Sequence, residues 1–185
     1  MEEQIFFENK FIFFQEKNNE DFFYGSLIYI FEHNQNGAIG VIVNKLISID
    51  ENQIFKSLGL TTSSKKKSLL NGGPVDINKL FIIHNKTSHK ESILTSAGIG
   101  LTSNIELIKT VHNDDALINY KFALGYCGWD AGQLDYEISL NSWLVLDVDP
   151  NIIFTTETEQ LVSEISKIKG FNINQIQNTE IVTKH

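Results

Sequence analysis

The sequence contains no arginine, and all fifteen of its basic residues are lysine. Arginine is the side chain that reads guanine edges and grips phosphate in a bidentate fork. Its absence, with a formal net charge of -8 and a pI near 5.1, argues against sequence-specific DNA binding through a basic face. A single nucleotide held by lysine and backbone amides stays open, as does an effect on transcription exerted through another protein. Cysteine occurs once, so no intrachain disulfide can form, which is compatible with a reducing compartment. Proline occurs only at Pro74 and Pro150, and neither a Pro-rich linker nor an internal repeat divides the chain. Residues 1–185 therefore read as one domain.

Long apolar runs are missing as well. Glu8, Asn9 and Lys10 interrupt the aromatic N-terminus, and Glu2 and Glu3 stand where a signal peptide carries its basic start. No stretch approaches the ~20 apolar residues that span a bilayer. The expectation is a cytoplasmic protein with no membrane partner. Metal ligands are not spaced for binding. His33, His84, His89, His112 and His185 supply no ligand pair on one element, and His84-x4-His89 spans a loop. A glycine-rich dinucleotide fingerprint is also lacking, so neither metal nor cofactor is expected.

What the chain does hold is a strand-forming core, 42% hydrophobic with thirteen phenylalanines. Phe11 to Gln15 reads as a short strand, and Asn18 to Asp21 as a turn. Phe22 to Glu32 and Ala38 to Asn44 read as a hairpin around His33-Asn34-Gln35-Asn36-Gly37, where Asn36-Gly37 tolerates positive φ. Asp50 is placed to cap a helix to Leu58 that Gly59 stops. Thr61 to Lys67 is a polar loop, its Lys65-Lys66-Lys67 a solvated run. Ser68 to Leu70 and Leu80 to His84 are short strands, with another at Glu91 to Thr95. Ser103-Asn104-Ile105-Glu106 has capping-box spacing before a helix to His112. A strand from Leu117 to Tyr126 leads into a helix at Ala131 to Leu140, then a strand at Trp143 to Val148. Thr156 to Lys169 is an amphipathic helix closed by Gly170, ahead of a polar tail. This irregular mixture predicts an α+β fold, with long strands curling toward a barrel-like sheet and helices over its faces.

Three polar segments carry chemistry. Glu32-His33-Asn34 at the hairpin tip, with Asn44-Lys45 ending the returning strand, sets a carboxylate beside an imidazole, a pairing suited to acid–base work; the plainer reading of Glu32 is a solvated turn residue. Asn71-Gly72-Gly73-Pro74-Val75 exposes backbone N–H groups able to cradle an anion, or is simply a sharp turn between strands. Gly125-Tyr126-Cys127-Gly128-Trp129, followed by Asp130 and Gln133, reads as a strand-to-helix junction with amides aimed at an anion. Cys127 there is a nucleophile or, more commonly for a lone cysteine, a buried packing residue. Asp130 is expected to cap the following helix.

Taken in order, Glu32-His33-Asn34, Gly37 through Lys45, Gly72-Gly73-Pro74-Val75, His84, and Gly125 through Trp129 with Gly132-Gln133-Leu134, Glu137 and Trp143 resemble the YqgE/AlgH family. The likeness runs from about Phe22 to Trp143 and more loosely to Gly170. It implies a branched mixed sheet folded into a pseudo-barrel, in a cytosolic bacterial protein. Some members carry the label of transcriptional regulator, and no catalytic residues transfer. The family's small residue at position 127 is cysteine here and the proline at position 46 is leucine, which weakens a catalytic role for Cys127.

The resemblance implies that its matching positions gather in space. The expected cleft comprises Glu32, His33, Asn34, Asn44, Lys45, Gly72, Gly73, Pro74, His84, Gly125, Tyr126, Gly128, Trp129 and Gln133. Three functions are weighed. One is a regulatory module binding a small ligand or a protein segment. The second is an enzyme acting on a small anionic or acyl substrate, with His33 or His84 as base and glycine amides holding an anion. The third is an interaction protein that forms a homo-oligomer through a sheet edge.

Overall fold

The computed structural model describes residues 5–61, 68–85, 91–113 and 118–176. Lys65-Lys66-Lys67, His89, Leu117, His185 and the end of the tail lie outside them. Strands β1 (Phe11–Phe14), β2 (Leu27–Asn34) and β3 (Gly37–Ile42) precede helix α1 (Glu51–Ser57). Then come β4 (Leu69–Asn71), β5 (Val75–His84), β6 (Ile93–Leu94), β7 (Gly100–Thr102) and α2 (Ile105–His112). The chain continues through β8 (Tyr120–Asp130), α3 (Gln133–Ser139), β9 (Trp143–Leu146), α4 (Ile152–Thr155) and α5 (Leu161–Lys169).

The fold is α+β, as its sequence suggests. One sheet runs in the order β6-β7-β5-β8-β3-β2-β1-β9, and β4 joins it as a branch on β8. The β4–β8 ladder is parallel and the others antiparallel. The sheet is curled, not closed. Residues from all nine strands, from Phe11 and Tyr29 to Phe81, Ile93, Leu101 and Leu146, meet in one interior cluster. Ile152, Ile153, Leu161 and Ile165 of α4 and α5 complete it. The Tyr29 hydroxyl bridges the curl to Thr95 Oγ1 at 3.3 Å.

Two further cores lie on the outer faces. Phe55 of α1 and Leu107, Ile108 and Val111 of α2 pack on Leu69, Leu80, Ile82, Phe122 and Leu124. Leu134 of α3 covers Ile12, Phe14, Ile28, Ile30, Cys127, Trp129 and Trp143. All four residues of β1 are buried because β1 has a core on each side: Phe11 and Phe13 face the interior, Ile12 and Phe14 face α3. This accounts for the aromatic N-terminus.

Several local expectations are revised. The apolar run Phe22–Ser26 does not enter β2. Asp21 Oδ1 accepts the Phe23 N–H at 2.7 Å, and this Asx turn overrides strand propensity. The hairpin loop is Gln35–Asn36, and of the Asn36-Gly37 pair only Gly37 has positive φ, at 138°. α2 is capped by Asn104, whose Oδ1 accepts the Leu107 N–H at 3.0 Å, so the Ser103–Glu106 box does not form. β5 begins at Val75 with irregular register as far as Leu80. β7 and α4 are additional to the elements read from sequence. Asp50 caps α1, and Gly170 ends α5 in the left-handed region, as expected.

Candidate functional site

β8 changes partners along its length. β5 pairs with it from Tyr120 to Leu124 and again at Tyr126; on its other edge β4 flanks Phe122–Leu124 and β3 takes over from Cys127 to Asp130. The change occurs at Gly125, which has φ 71°. A Cβ on Gly125 would stand 2.4 Å from the Gly73 carbonyl oxygen, and one on Gly73 would stand 2.2 Å from the Tyr126 carbonyl. Two backbones cross here at a separation only glycine permits. Gly72 fixes the crossing: its N–H donates to Leu124 O at 2.8 Å and its carbonyl accepts the Ile42 N–H at 2.9 Å. The glycines are spent on this crossing.

Gly125–Trp129 is therefore strand, and the expected strand-to-helix junction lies further on. Cys127 pairs opposite Gly40 and is buried, with its thiol directed to Gly72 O at 3.4 Å. Burial pushes the thiol up to about 12, far from the thiolate a nucleophile needs. Asp130 does not cap α3. The N-cap position is Gly132, in the left-handed conformation and without a side-chain cap. The Asp130 N–H instead donates to Gln133 Oε1 at 2.9 Å.

The most connected polar group nearby is Glu137. Gln133 and Glu137 stand one helical turn apart on α3. Glu137 Oε1 accepts from Gln133 Nε2 at 2.9 Å, and Oε2 accepts both indole N–H groups, from Trp129 at 2.9 Å and Trp143 at 2.7 Å. One carboxylate thus ties α3 to β8 and β9. The tryptophan rings meet edge to face at 5.9 Å, and Phe14 and Phe23 lie 5.0 Å and 5.4 Å from Trp143.

Beside this cluster is a cavity of ≈ 350 Å³, lined by Phe14, Glu16, Asp21, Phe23, Pro74, Gly128, Trp129, Gln133, Glu137, Ser142 and Trp143. Its walls are aromatic, its charged groups are all carboxylates, and its size is in the range of small-molecule sites.

The predicted residues divide around it. Pro74, Gly128, Trp129 and Gln133 line the cavity, while Gly72, Gly73 and Gly125 form the crossing that leads into it. Tyr126 turns instead toward the sheet interior, edge to face with Phe81. Asn44 and Lys45 act from behind. Asn44 Oδ1 accepts the Leu27 N–H and its Nδ2 donates to Gly25 O, both at 2.8 Å. Lys45 Nζ donates to Phe22 O at 3.1 Å. Together they pin the turn that carries Asp21 and Phe23 into the cavity wall. Burial lowers the Lys45 pKa, and Asp21 counters that shift.

Glu32, His33 and Asn34 remain at the hairpin tip. A bulge between Ile30 and Glu32 turns His33 onto the α3 side, where it is buried. Its Nδ1 accepts the Phe7 N–H at 2.9 Å, which leaves Nε2 as the protonated nitrogen facing Asp135 Oδ2 at 3.3 Å. Phe7 stacks on the ring and Phe6 meets its edge. Both ring nitrogens are engaged, and the imidazole anchors the N-terminal segment. Exposed Glu32 accepts from Asn34 Nδ2, and Asn34 holds the loop through the Asn36 N–H. His84 is fully buried at the opposite end of β5 from Val75, 2.7 Å from Ser92 Oγ. It does not join the cavity.

Phe14, Glu16, Asp21, Phe23 and Ser142 were not anticipated. The spacing that points to the cluster is the pair of tryptophans, the chain's only two, flanking a helix with a carboxylate between them. Among the described residues no group of three or more His, Cys, Asp or Glu is arranged to hold a metal, and no helix is long and apolar enough to cross a membrane.

A family model described as AlgH-like matches residues 11–174. A UPF0301 protein of Vibrio atlanticus is 33% identical over 165 residues, covering 85% of this chain and 88% of its own. One from Vibrio cholerae is 34% identical over 160 residues, covering 82% and 86%. The solution structure of the AlgH protein from Pseudomonas aeruginosa superposes with a TM-score of 0.79 at 24% identity, over 93% of this chain and 94% of that one. A crystal structure of a Corynebacterium diphtheriae protein superposes at 0.64 with 16% identity, covering 90% of each chain. At these identities the two structures speak for the fold alone.

Proposed function

The chain belongs to the AlgH-like family, and from that premise we propose that it is a ligand-binding regulatory module whose binding site is the aromatic cavity beneath α3. One observation carries the reading: both tryptophans, held by one carboxylate, wall a cavity of ≈ 350 Å³. Pockets with apolar walls and a few fixed polar groups are the general form of small-molecule sites. The side chains suited to catalysis are committed elsewhere. His33 has both nitrogens engaged, His84 is buried at the far end of β5, and the thiol of Cys127 is protonated and buried. An acid–base or nucleophilic enzyme is the weaker reading on those grounds.

The module works in the cytoplasm, and any effect on transcription is indirect, transmitted through a protein partner. An acidic chain whose only strong cations are lysines is poorly suited to gripping and reading a duplex. The test is a thermal-shift screen of small metabolites, read in parallel by intrinsic fluorescence. A ligand at 100 times its Kd raises stability by about 2.7 kcal/mol, and because both indoles line the cavity their emission must change with it. A ligand that stabilises the protein without touching the emission would place binding elsewhere and sink the reading. Tight, salt-sensitive binding to a defined promoter would overturn the indirect route.

A further inference from the structure

If the cavity is a binding site, as proposed above, its walls also specify a charge. Phe14, Phe23, Trp129 and Trp143 form its aromatic side. Glu16, Asp21 and Glu137 are its ionisable groups, and no lysine or histidine lines it. Among the described residues none of these carboxylates is in a salt bridge. Glu16 receives only the Ser142 hydroxyl at 3.2 Å, and Asp21 a backbone N–H from Phe23. The nearby cation, Lys45, does not line the cavity: its ammonium donates to Phe22 O, while burial lowers its pKa and Asp21 is close enough to raise it in part. Glu137 is different, because its oxygens are occupied by two indoles and an amide; its task is to set the rings.

An anion entering this space would meet three like charges and no donor of opposite sign. A neutral apolar group would bring no counter-charge to Glu16, and would leave Asp21 with Lys45 alone. An organic cation would meet aromatic rings, whose quadrupoles attract positive charge, and two carboxylates available for pairing. We propose that the cavity binds an alkylammonium group, with Asp21 and Glu16 as its counter-charges and the four aromatic side chains as its cage. The same chemistry is presented by a free quaternary amine and by the methylated ammonium of a lysine side chain.

The test titrates the intact protein with choline, with 3,3-dimethylbutanol as its uncharged carbon isostere, and with butyrate as an anion, following tryptophan emission. A second arm uses the methylamide of N-acetyl-trimethyllysine, and its affinity relative to choline tells a peptide source from a free amine. Saturable quenching by the ammonium probes alone is expected. The double variant D21N/E16Q keeps both acceptor oxygens and is expected to melt as the wild type does while binding roughly tenfold or more weaker, about one pair-scale contribution per charge. Equal response to the uncharged isostere, or preference for butyrate, overturns the cationic assignment while leaving a binding cavity intact. Silence toward every ammonium probe also overturns it; a ligand from the wider screen that moves the emission would then uphold the cavity without the cation. Unchanged affinity in the double variant removes Asp21 and Glu16 as counter-charges and with them the proposal.

Discussion

The two halves of β8 have the same secondary structure and opposite employment. Before Gly125, Phe122, Ala123 and Leu124 are buried between β4 and β5 and divide their side chains between the interior and the α1–α2 core. After it, Trp129 reaches the wall of a cavity, Gly128 is exposed, and the strand has one new partner, β3. The first half is fixed on both faces and both edges, so a change there acts on the fold. The second half is held by the β3 ladder, by Val75 at Tyr126, by the packing of Cys127 and Trp129 under α3 and by one carboxylate. It is the half that walls the cavity, so a change at Trp129 or its carboxylate acts on the cavity. A single left-handed glycine divides them.

The largest effect is expected at the divider. Gly125→Ala places a methyl 2.4 Å from a backbone oxygen at φ 71°. The cost is expected at about 4 kcal/mol or more, or loss of folding, in urea denaturation. A cost below about 1 kcal/mol would mean that the crossing relaxes freely and the halves are not separately held. Next comes Leu124→Ala, on the fold side, at about 3 kcal/mol, with tryptophan emission of the surviving folded protein unchanged. Altered emission there would show the two halves to be coupled.

Glu137→Ala, on the cavity side, strips two indole N–H groups of their acceptor. It is expected to cost about 2 kcal/mol and to shift the emission, an outcome opposite in kind to that of Leu124→Ala. The thiol of Cys127 should resist alkylation at pH 8 in the folded protein and react promptly in denaturant, as mass spectrometry would show. The linkage follows from the same burial. The folded pKa is raised from 9.0 to about 12, so the contribution of the protonated thiol is complete below pH 9 and is lost as pH rises toward 12. Tyr29, pushed up from 10.0 to about 12 by burial, adds a loss in the same direction. Stability should therefore decline above pH 9. The smallest effect is at Asp21→Asn, which keeps the Asx turn and should change stability by less than about 0.5 kcal/mol.

The hairpin, α1 and its cap, and α5 with its closing glycine were legible because each rests on local chemistry: alternation, an Asx cap, a left-handed glycine. The aromatic cavity was only half legible. Trp129 and Gln133 stand in a motif, but Phe14, Glu16, Asp21 and Phe23 reach it from a distant part of the chain through β1 and the turn behind it. No spacing rule links Asp21 to Trp129. The crossing at Gly72, Gly73 and Gly125 was not legible for a related reason: backbone glycines that admit a ligand and those that admit another backbone look identical in one dimension. The anchoring contacts of His33 were not legible because its partners, Phe7 and Asp135, are also remote in sequence.

The branch at β8 has a consequence in time. On the ribosome the β2–β3 hairpin is made early, yet β3 finds its second neighbour only when residues Cys127–Asp130 have emerged, and β1 its own only with Trp143–Leu146. β4 likewise waits for Phe122–Leu124 to supply its parallel partner. Nearly the whole sheet must therefore be synthesised before its centre can be laid down, and closure of such distant pairs is slow. Until then Phe11, Phe13, Tyr29 and Phe31 have little beyond one another and the β1–β2 pair to pack against.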